Sequence, residues 1–338
     1  RTPSELAKKA NIREQIAGGH LSFRKNNLKL GITGANYRYS APLTRNTAPY
    51  NTFEFQGSTN TNIGVDYNWV FRNFNFFGET ARSANGAWAS TNGFMVSLDP
   101  RLSFTFLQRN FARDYQVVYG AAIAEGSRNI NERGIYMGMV MRPFRYVSIS
   151  AFYDRWKYSW LRYLMDAPSG GHDGLIQVNY TPSKTTDMYF RFRERSRARN
   201  TSSDDGLEID FPLQTLQRQY RFDLSYKVSP TLRLRNRIEA IDYRRAEGAD
   251  PELGYLLMQD VYYRPVGKPF ALTMRYALFS TDGYNPRIYA YENDVLYSFS
   301  IPAYSDKGSR FYAILEYSPT RNLDIWLRYA RFYYYNRQ

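Results

Sequence analysis

The chain has 338 residues and a formal net charge of +14, and 17% of its residues are aromatic although its mean hydropathy is −0.57. Abundant aromatic residues exclude a disordered chain, and the sequence has no run of about 20 apolar residues that would form a helical membrane span. Because it contains no cysteine and only 2 histidines, disulfides and thiol chemistry are excluded and few metal ligands remain.

The amino-terminal segment predicts a short helix. Thr2 is suited to a helix N-cap, and Pro3 follows at the first helical position. We expect residues 1–17 to form a peripheral or short helical segment and residues 18–338 to form a β-barrel.

From Leu21 onward the dominant hydrophobic period is two, which is the period of a β-strand. Apolar and charged residues alternate most clearly in residues 186–195, 216–228, 232–240 and 323–330. Each of these segments therefore has one apolar face and one charged face. The predicted fold class is all-β, with amphipathic antiparallel strands.

The connections between the predicted strands alternate in length. Short turns are predicted at 25–27, 72–73, 99–100, 143–144, 182–184, 229–230, 266–268 and 318–320, where turn-forming residues occur. Longer polar loops are predicted at 41–57, 112–132, 158–174, 196–213 and 281–308. Short turns at one end and long loops at the other are typical of a transmembrane antiparallel β-barrel with periplasmic turns.

Two strands for each short turn predict about 16 strands in this sequence. We expect residues 288–300 to extend a hairpin beyond the membrane, which would change that count by two. The strand before the turn at Asn26 would begin outside the cell, and the sequence ends without the usual terminal aromatic strand. We therefore expect the barrel to be incomplete at both ends and to contain more strands in the intact protein.

The period alone does not distinguish a membrane barrel from a soluble barrel or sandwich, whose apolar faces would point inward. Highly charged faces, sorted loops and aromatic residues near strand ends favour the membrane. The clearest group of predicted lipid-interface aromatics surrounds one short turn and comprises Trp69, Phe71, Phe74, Phe76 and Phe77. The sequence thus predicts an integral protein of the bacterial outer membrane, in contact with outer-membrane lipid.

Seven arginines and three acidic residues share the charged faces of neighbouring predicted strands. We predict that these residues line the lumen: Arg191, Arg193, Arg195, Arg221, Arg233, Arg235, Arg237, Asp187, Asp223 and Glu239. One interpretation is an electropositive wall that favours anions. The other, which we favour because buried arginine is normally paired, is a lattice of ion pairs that stiffens the wall.

Catalysis and metal binding have little support in the sequence. His172 lies beside Asp173 in a glycine-rich segment predicted as a flexible loop, and His20 opens a strand. Neither has a nucleophile at a recognisable spacing. Asp204 and Asp205 are interpreted as solvated loop residues and not as calcium ligands. We predict no catalytic residue, no metal site and no cofactor.

The basic, aromatic-rich composition also raises nucleic-acid binding. Such binding uses exposed aromatics beside a basic groove, whereas most aromatics here fall on the apolar faces of the predicted strands. We do not expect this region to bind nucleic acid.

Three local segments suggest a family resemblance. They are residues 72–79, residues 96–101 and residues 160–169, which contain Trp160-Leu161-Arg162-Tyr163 and Asp166-Ala167-Pro168-Ser169. Through these segments the chain resembles outer-membrane barrels of the Bacteroidota. The resemblance is to a group of long proteins in which helix-hairpin-helix modules precede a carboxyl-terminal barrel. The resemblance spans most of the chain, implies an amino-terminal region outside this sequence, and carries no catalytic residues.

The predicted function is to let molecules pass across the outer membrane, or to support a complex that does so. The first hypothesis is a channel for small solutes or anions. The second is a barrel subunit of a larger transport, secretion or assembly complex with other outer-membrane or periplasmic proteins. An outer-membrane hydrolase, and DNA handling through upstream modules, are the alternatives.

Overall fold

A computed structural model of the chain describes residues 2–201 and 211–335. Its elements are α1 (Pro3–Ala7), β1 (Glu14–Lys25), β2 (Leu28–Leu43), a 3₁₀ turn (Pro49–Asn51), β3 (Gly57–Phe71), β4 (Phe74–Ser83), β5 (Trp88–Asp99), β6 (Leu102–Phe111), β7 (Glu132–Phe144), β8 (Val147–Tyr158), β9 (Ser169–Ser183), β10 (Thr186–Asn200), β11 (Pro212–Lys227), β12 (Leu232–Arg244), β13 (Glu252–Tyr263), β14 (Phe270–Thr281), β15 (Ile288–Tyr289), β16 (Ala303–Tyr304), β17 (Lys307–Thr320) and β18 (Leu323–Tyr334).

Sixteen of the strands form one sheet in chain order, in which β17 follows β14. β15 and β16 pair separately as a two-stranded ribbon. The predicted all-β antiparallel architecture of about 16 strands is confirmed. The helix Pro3–Ala7 lies within the segment 1–17, and β1 begins at Glu14, before the predicted boundary at residue 18. Among the described residues, no helix is both long and apolar enough to cross a membrane.

The turns follow from local backbone requirements. Asn26 and Arg72 have φ of 51° and 54°, the left-handed conformation that a tight hairpin turn needs. Two predicted turns lie entirely within strands, because β7 continues to Phe144 and β17 to Thr320. Pro143 and Pro319 sit near these strand ends, where a missing backbone N–H is tolerated.

The described residues divide into two compact units. One falls within Arg1–Met139, Phe152–His172 and Ala198–Leu213. The other falls within Val140–Ala151, Asp173–Arg197 and Gln214–Gln338. We describe them separately as the first and second unit.

In the second unit the burial pattern is the inverse of that in a water-soluble sheet. Ile238 and Leu257 are paired across β12 and β13, and they are 57% and 51% exposed. On the opposite face, Glu239 is 1% exposed and Asp260 is 0% exposed. We call these the apolar face and the charged face of the strands.

The first unit shows the same inversion. Ile32 and Val65 are paired across β2 and β3 and are both exposed, whereas Asn62, on the other face, is buried. A small buried cluster lies on that polar face and comprises Ala87, Ala89, Phe111 and Tyr115.

Candidate functional site

The charged face of β11 and β12 is built from cross-strand ion pairs. Asp223 accepts hydrogen bonds from Arg235 Nε and Arg237 Nε, each at 2.9 Å. Glu239 accepts one from Arg221 Nε at 2.7 Å. The strand register places Asp223 opposite Arg237 and Arg221 opposite Glu239. Opposite charges are thus held at the spacing at which cross-strand pairs interact.

The arginines of β10 turn toward β9. Arg193 Nε donates to Asp173 Oδ1 at 2.8 Å, and Arg195 Nε lies 3.4 Å from Asp173 Oδ2. Arg191 Nε donates instead to the amide oxygen of Gln177 at 2.7 Å.

The predicted ion pairing therefore holds for Asp223 and Glu239 but not for Asp187. The carboxylate of Asp187 accepts a hydrogen bond from the Thr181 hydroxyl at 3.1 Å and has no arginine partner among the described residues. Arg233 Nε donates to Ser225 Oγ at 2.7 Å. Within the part of the chain that the structure describes, Arg191 and Arg233 have no carboxylate partner. All ten predicted lumen residues lie in the second unit, and their lumen-lining role remains a prediction.

Asp260 and Arg275 form the most deeply buried pair of this unit. Arg275 Nε and Nη2 donate to the two oxygens of Asp260 at 2.5 and 2.8 Å. The side chains are 0% and 2% exposed. A bidentate pair of this kind adds geometric specificity as well as energy.

Residues 282–306, which we call the strap, pack against the charged face. The carbonyl oxygen of Pro286 lies against Gly254 of β13, where a Cβ atom would come closer than 3.0 Å to it. The expectation that residues 288–300 extend a hairpin beyond the membrane is therefore wrong. The reason is apolar burial: the strap joins strand residues in a core cluster of Ile241, Tyr243, Leu256, Met258, Ala277, Phe279, Ile288, Ala290 and Tyr304.

A buried carboxylate fastens the strap to β17 and β18. Glu292 is fully buried. Its Oε1 accepts from Arg310 Nε at 2.9 Å, and its Oε2 accepts from Arg310 Nη2 at 2.8 Å and from Arg328 Nη2 at 2.6 Å. The Tyr304 hydroxyl donates to Oε1 at 3.0 Å. Burial, and then the nearby Glu292, raise the pKa of Tyr304, so its hydroxyl keeps the proton that it donates.

The tip of the strap is exposed and apolar. Tyr297 is 99% exposed and Phe299 is 74% exposed. Asp294, beside the tip, lines a cavity of about 320 Å³ together with Arg264 and Glu316, which lie near the turn ends of β13 and β17. The strap thus runs along the strands from their loop ends toward their turn ends.

In the first unit, Arg109 of β6 organises the loop that follows it. Arg109 Nε donates to Glu132 at 2.5 Å, and its Nη1 donates to Asp154 at 2.8 Å. Glu132 also accepts from the backbone N–H groups of Glu125 and Gly126, each at 2.9 Å. The loop between β6 and β7 is therefore tied to the polar face of this unit.

That loop covers a cavity of about 650 Å³ in the first unit. Its wall includes Asp66 and Glu79, which are paired across β3 and β4, and Lys29 of β2. Tyr115 and Tyr119 line it from the loop. The arrangement provides a largely apolar chamber with a few charged side chains, of a size that holds a small solute.

Four of the five predicted lipid-interface aromatics share the apolar face. The ring centroid of Trp69 lies 5.5 Å from those of Phe71 and Phe76, and Phe74 and Phe76 stack at 5.6 Å. Phe77 is an exception, because it is paired with Asn68 and lines the first-unit cavity. Its place in the group is wrong, since consecutive strand residues point to opposite faces.

The two histidines lie on separate strands, His20 on β1 and His172 on β9. His172 lies within β9 and not in a flexible loop, and its ring stacks on Tyr153 at 5.8 Å. The loop prediction failed because Gly170 serves close backbone packing: a Cβ there would lie 2.7 Å from the Trp156 carbonyl oxygen. His20 Nδ1 lies 2.9 Å from Thr33 Oγ1.

No group of three or more acidic, histidine or cysteine side chains in the described residues is arranged to hold a metal ion. Asp204 and Asp205 lie outside the described residues.

Several residues of the charged face were missed by the sequence analysis. Asp260 and Arg275 carry a usable signal, since each is an isolated charge within an alternating apolar strand. Glu292 carries none, because it lies in a connection without periodicity.

No protein-family model matches the sequence, and no curated protein matches it. Among solved structures, the chain is similar to the outer membrane channel DcaP of Acinetobacter baumannii, with 11% identity, a TM-score of 0.42, and coverage of 96% of this chain and 98% of that one. It is also similar to OccAB1 of Acinetobacter baumannii, with 10% identity, a TM-score of 0.41 and coverage of 93% and 90%. For the outer-membrane expressed OmpT of Vibrio cholerae the identity is 10%, the TM-score 0.36 and the coverage 92% and 100%.

Proposed function

We propose that this chain forms the wall of a transmembrane β-barrel in a bacterial outer membrane and acts as a channel for small solutes, with a preference for anions. The observation that carries the proposal is the inverted burial, with exposed Ile238 and Leu257 on one face and buried Glu239 and Asp260 on the other. Water would oppose that arrangement, whereas hydrocarbon favours apolar side chains on the face that it contacts.

The strand lengths support the membrane assignment. The strands of the large sheet contain 10 to 16 residues, and a tilted transmembrane strand needs about 9–11. The aromatic cluster around Trp69 lies next to the turn between β3 and β4. Aromatic side chains in that position fit a lipid interface.

The preference for anions rests on the arginines of the charged face. Arg191 and Arg233 donate to the neutral groups of Gln177 and Ser225, so no carboxylate offsets their charge within the described residues. Uncompensated cationic side chains along a pore wall lower the energy of a passing anion.

A role as the barrel subunit of a larger complex is the second candidate. The exposed apolar tip of the strap, with Tyr297 and Phe299, favours it, because exposed apolar patches commonly mark protein contacts. With this candidate we also propose that the protein comes from the Bacteroidota and that helix-hairpin-helix modules precede the barrel.

Planar lipid bilayers provide the test. We expect the purified, folded protein to produce discrete conductance steps, with a reversal potential in a KCl gradient displaced toward that of chloride. The double variant R191Q/R233Q should reduce this displacement, because it removes the two uncompensated charges. R264Q is the matched control, since Arg264 is exposed and already paired with Glu316. Folded, membrane-inserted protein that never conducts would contradict the channel and favour the complex.

A further inference from the structure

The side chains around Glu292 form a complete binding site for a carboxylate group. Arg310 contacts both oxygens in the bidentate geometry that guanidinium groups use for carboxylates. Arg328 and the hydroxyl of Tyr304 supply two further hydrogen bonds. Four hydrogen bonds from three side chains thus converge on one small anionic group.

The cationic half of this site belongs to the sheet. Arg310 lies on β17 and Arg328 on the neighbouring strand β18. The Arg310 guanidinium lies 4.3 Å from the ring centroid of Phe332, and that of Arg328 lies 5.7 Å from that of Tyr312. Rings in these positions hold the guanidinium groups in place from the wall side.

The anionic half belongs to the strap, and its anchoring differs from that of the strap base. At the base, Ile288 and Tyr304 are embedded in the apolar core cluster. Near Glu292 the contacts are polar: the Tyr291 carbonyl accepts from Arg275 Nη1 at 2.7 Å, and the Asn293 N–H lies 3.4 Å from the Tyr312 hydroxyl. Withdrawal of the Glu292 side chain therefore breaks polar contacts.

Charge balance decides what can replace Glu292. Withdrawal without a replacement leaves two guanidinium groups short of their main counter-charge, since among the described residues their other carboxylate partner is Asp294 of the strap, at 3.5 Å from Arg328. Exchange with another carboxylate keeps the balance and the hydrogen bonds.

We propose that Glu292 is an internal occupant of an anion-binding site formed by Arg310, Arg328 and Tyr304, and that a small carboxylate solute takes this site when Glu292 withdraws. Binding of the solute does not depend on the proposed channel. Only its consequence for transport, exchange of a passing carboxylate with Glu292, rests on the proposed function.

The variant E292A empties the site, and acetate is the probe. We expect full-length E292A in detergent micelles to unfold at a lower temperature than the wild-type protein in sodium chloride. Sodium acetate at the same ionic strength should restore most of the loss in a saturable manner, because acetate supplies the missing carboxylate. The unfolding temperature of the wild-type protein should differ much less between the two salts, because Glu292 competes with acetate for the site.

Two controls isolate the site. E316A removes an exposed carboxylate that is paired with Arg264, and acetate should not stabilise it more than chloride does. In E292A/R328A the acetate effect should disappear. Acetate that is no better than chloride for E292A, or equally effective in either control, overturns the proposal.

If E292A does not fold, the near-isosteric variant E292Q takes its place in the experiment. Saturation-transfer NMR with acetate should then detect stronger binding to E292Q than to the wild-type protein, in which Glu292 competes with acetate for the site. No binding to folded E292Q overturns the proposal even if the protein conducts in bilayers, so its failure is separable from failure of the channel.

Discussion

Asp260 and Arg275 differ from the surface pairs of this protein in solvation. Their side chains are 0% and 2% exposed, whereas those of Arg264 and Glu316 are 73% and 36% exposed. In water the attraction between two charges is largely screened, but a desolvated pair whose partner is removed leaves a costly unpaired charge. The two pairs should therefore respond very differently to the same substitution.

We expect D260A to destabilise the folded protein by about 3–5 kcal/mol, because Arg275 would keep its charge without a bidentate partner. Urea unfolding in detergent micelles, followed by tryptophan fluorescence, measures the change. E316A is the control and should cost about 0–1 kcal/mol, as exposed pairs do. Equal losses in the two variants would show that the charged face is hydrated enough to screen Asp260.

The sequence was informative about faces and much less about partners. Strict alternation was enough to place Arg221, Asp223 and Glu239 on one face. It did not reveal that Arg193 bonds to Asp173, because partner choice depends on strand register and side-chain reach. Phe77 shows another limit: it follows Phe76 in an aromatic-rich segment, yet it lies on the polar face.

At the scale of elements, the strap depends on one glycine of β13. A Cβ at Gly254 would come closer than 3.0 Å to the carbonyl oxygen of Pro286, which is backbone and cannot rotate away. Any larger residue at this position must therefore displace the strap or the strand.

We expect G254A to destabilise the protein by about 1–3 kcal/mol, which is typical of overpacking. It should also increase proteolysis within residues 282–306, because the strap base is lifted from β13. Unfolding in urea and mass spectrometry of the cleaved fragments measure the two effects. G34A is the matched control, since nothing lies within 4 Å of its added Cβ, and its stability should change by about 0.5 kcal/mol or less. A G254A protein as stable and protease-resistant as G34A would show that Gly254 does not position the strap.

The strap could not be predicted from the sequence for a physical reason. In strands, apolar and polar residues alternate with period two, and the connections are marked by turn-forming residues. The number of strands and the ends of most of them could therefore be predicted from the sequence. The strap has no period, and Ile288 and Tyr304 are buried through contacts with β12 to β14 that only the folded chain creates.

At the scale of the whole molecule, the same inversion of burial recurs in both units. Ile32 and Val65 are exposed in the first unit, as are Ile238 and Leu257 in the second. Buried charged or polar groups lie on the opposite faces, Glu239 and Asp260 in the second unit and Asn62 in the first. Contact between the apolar faces and membrane hydrocarbon explains both observations.

Spin-label accessibility in lipid vesicles tests this inversion most directly. The chain contains no cysteine, so I238C, L257C and R191C each carry a unique label without further substitutions. The account predicts that labels at 238 and 257 collide with lipid-soluble oxygen and are shielded from a water-soluble nickel complex, while the label at 191 shows the reverse. Labels at 238 and 257 that are shielded from oxygen and reached by nickel in the folded protein would contradict it.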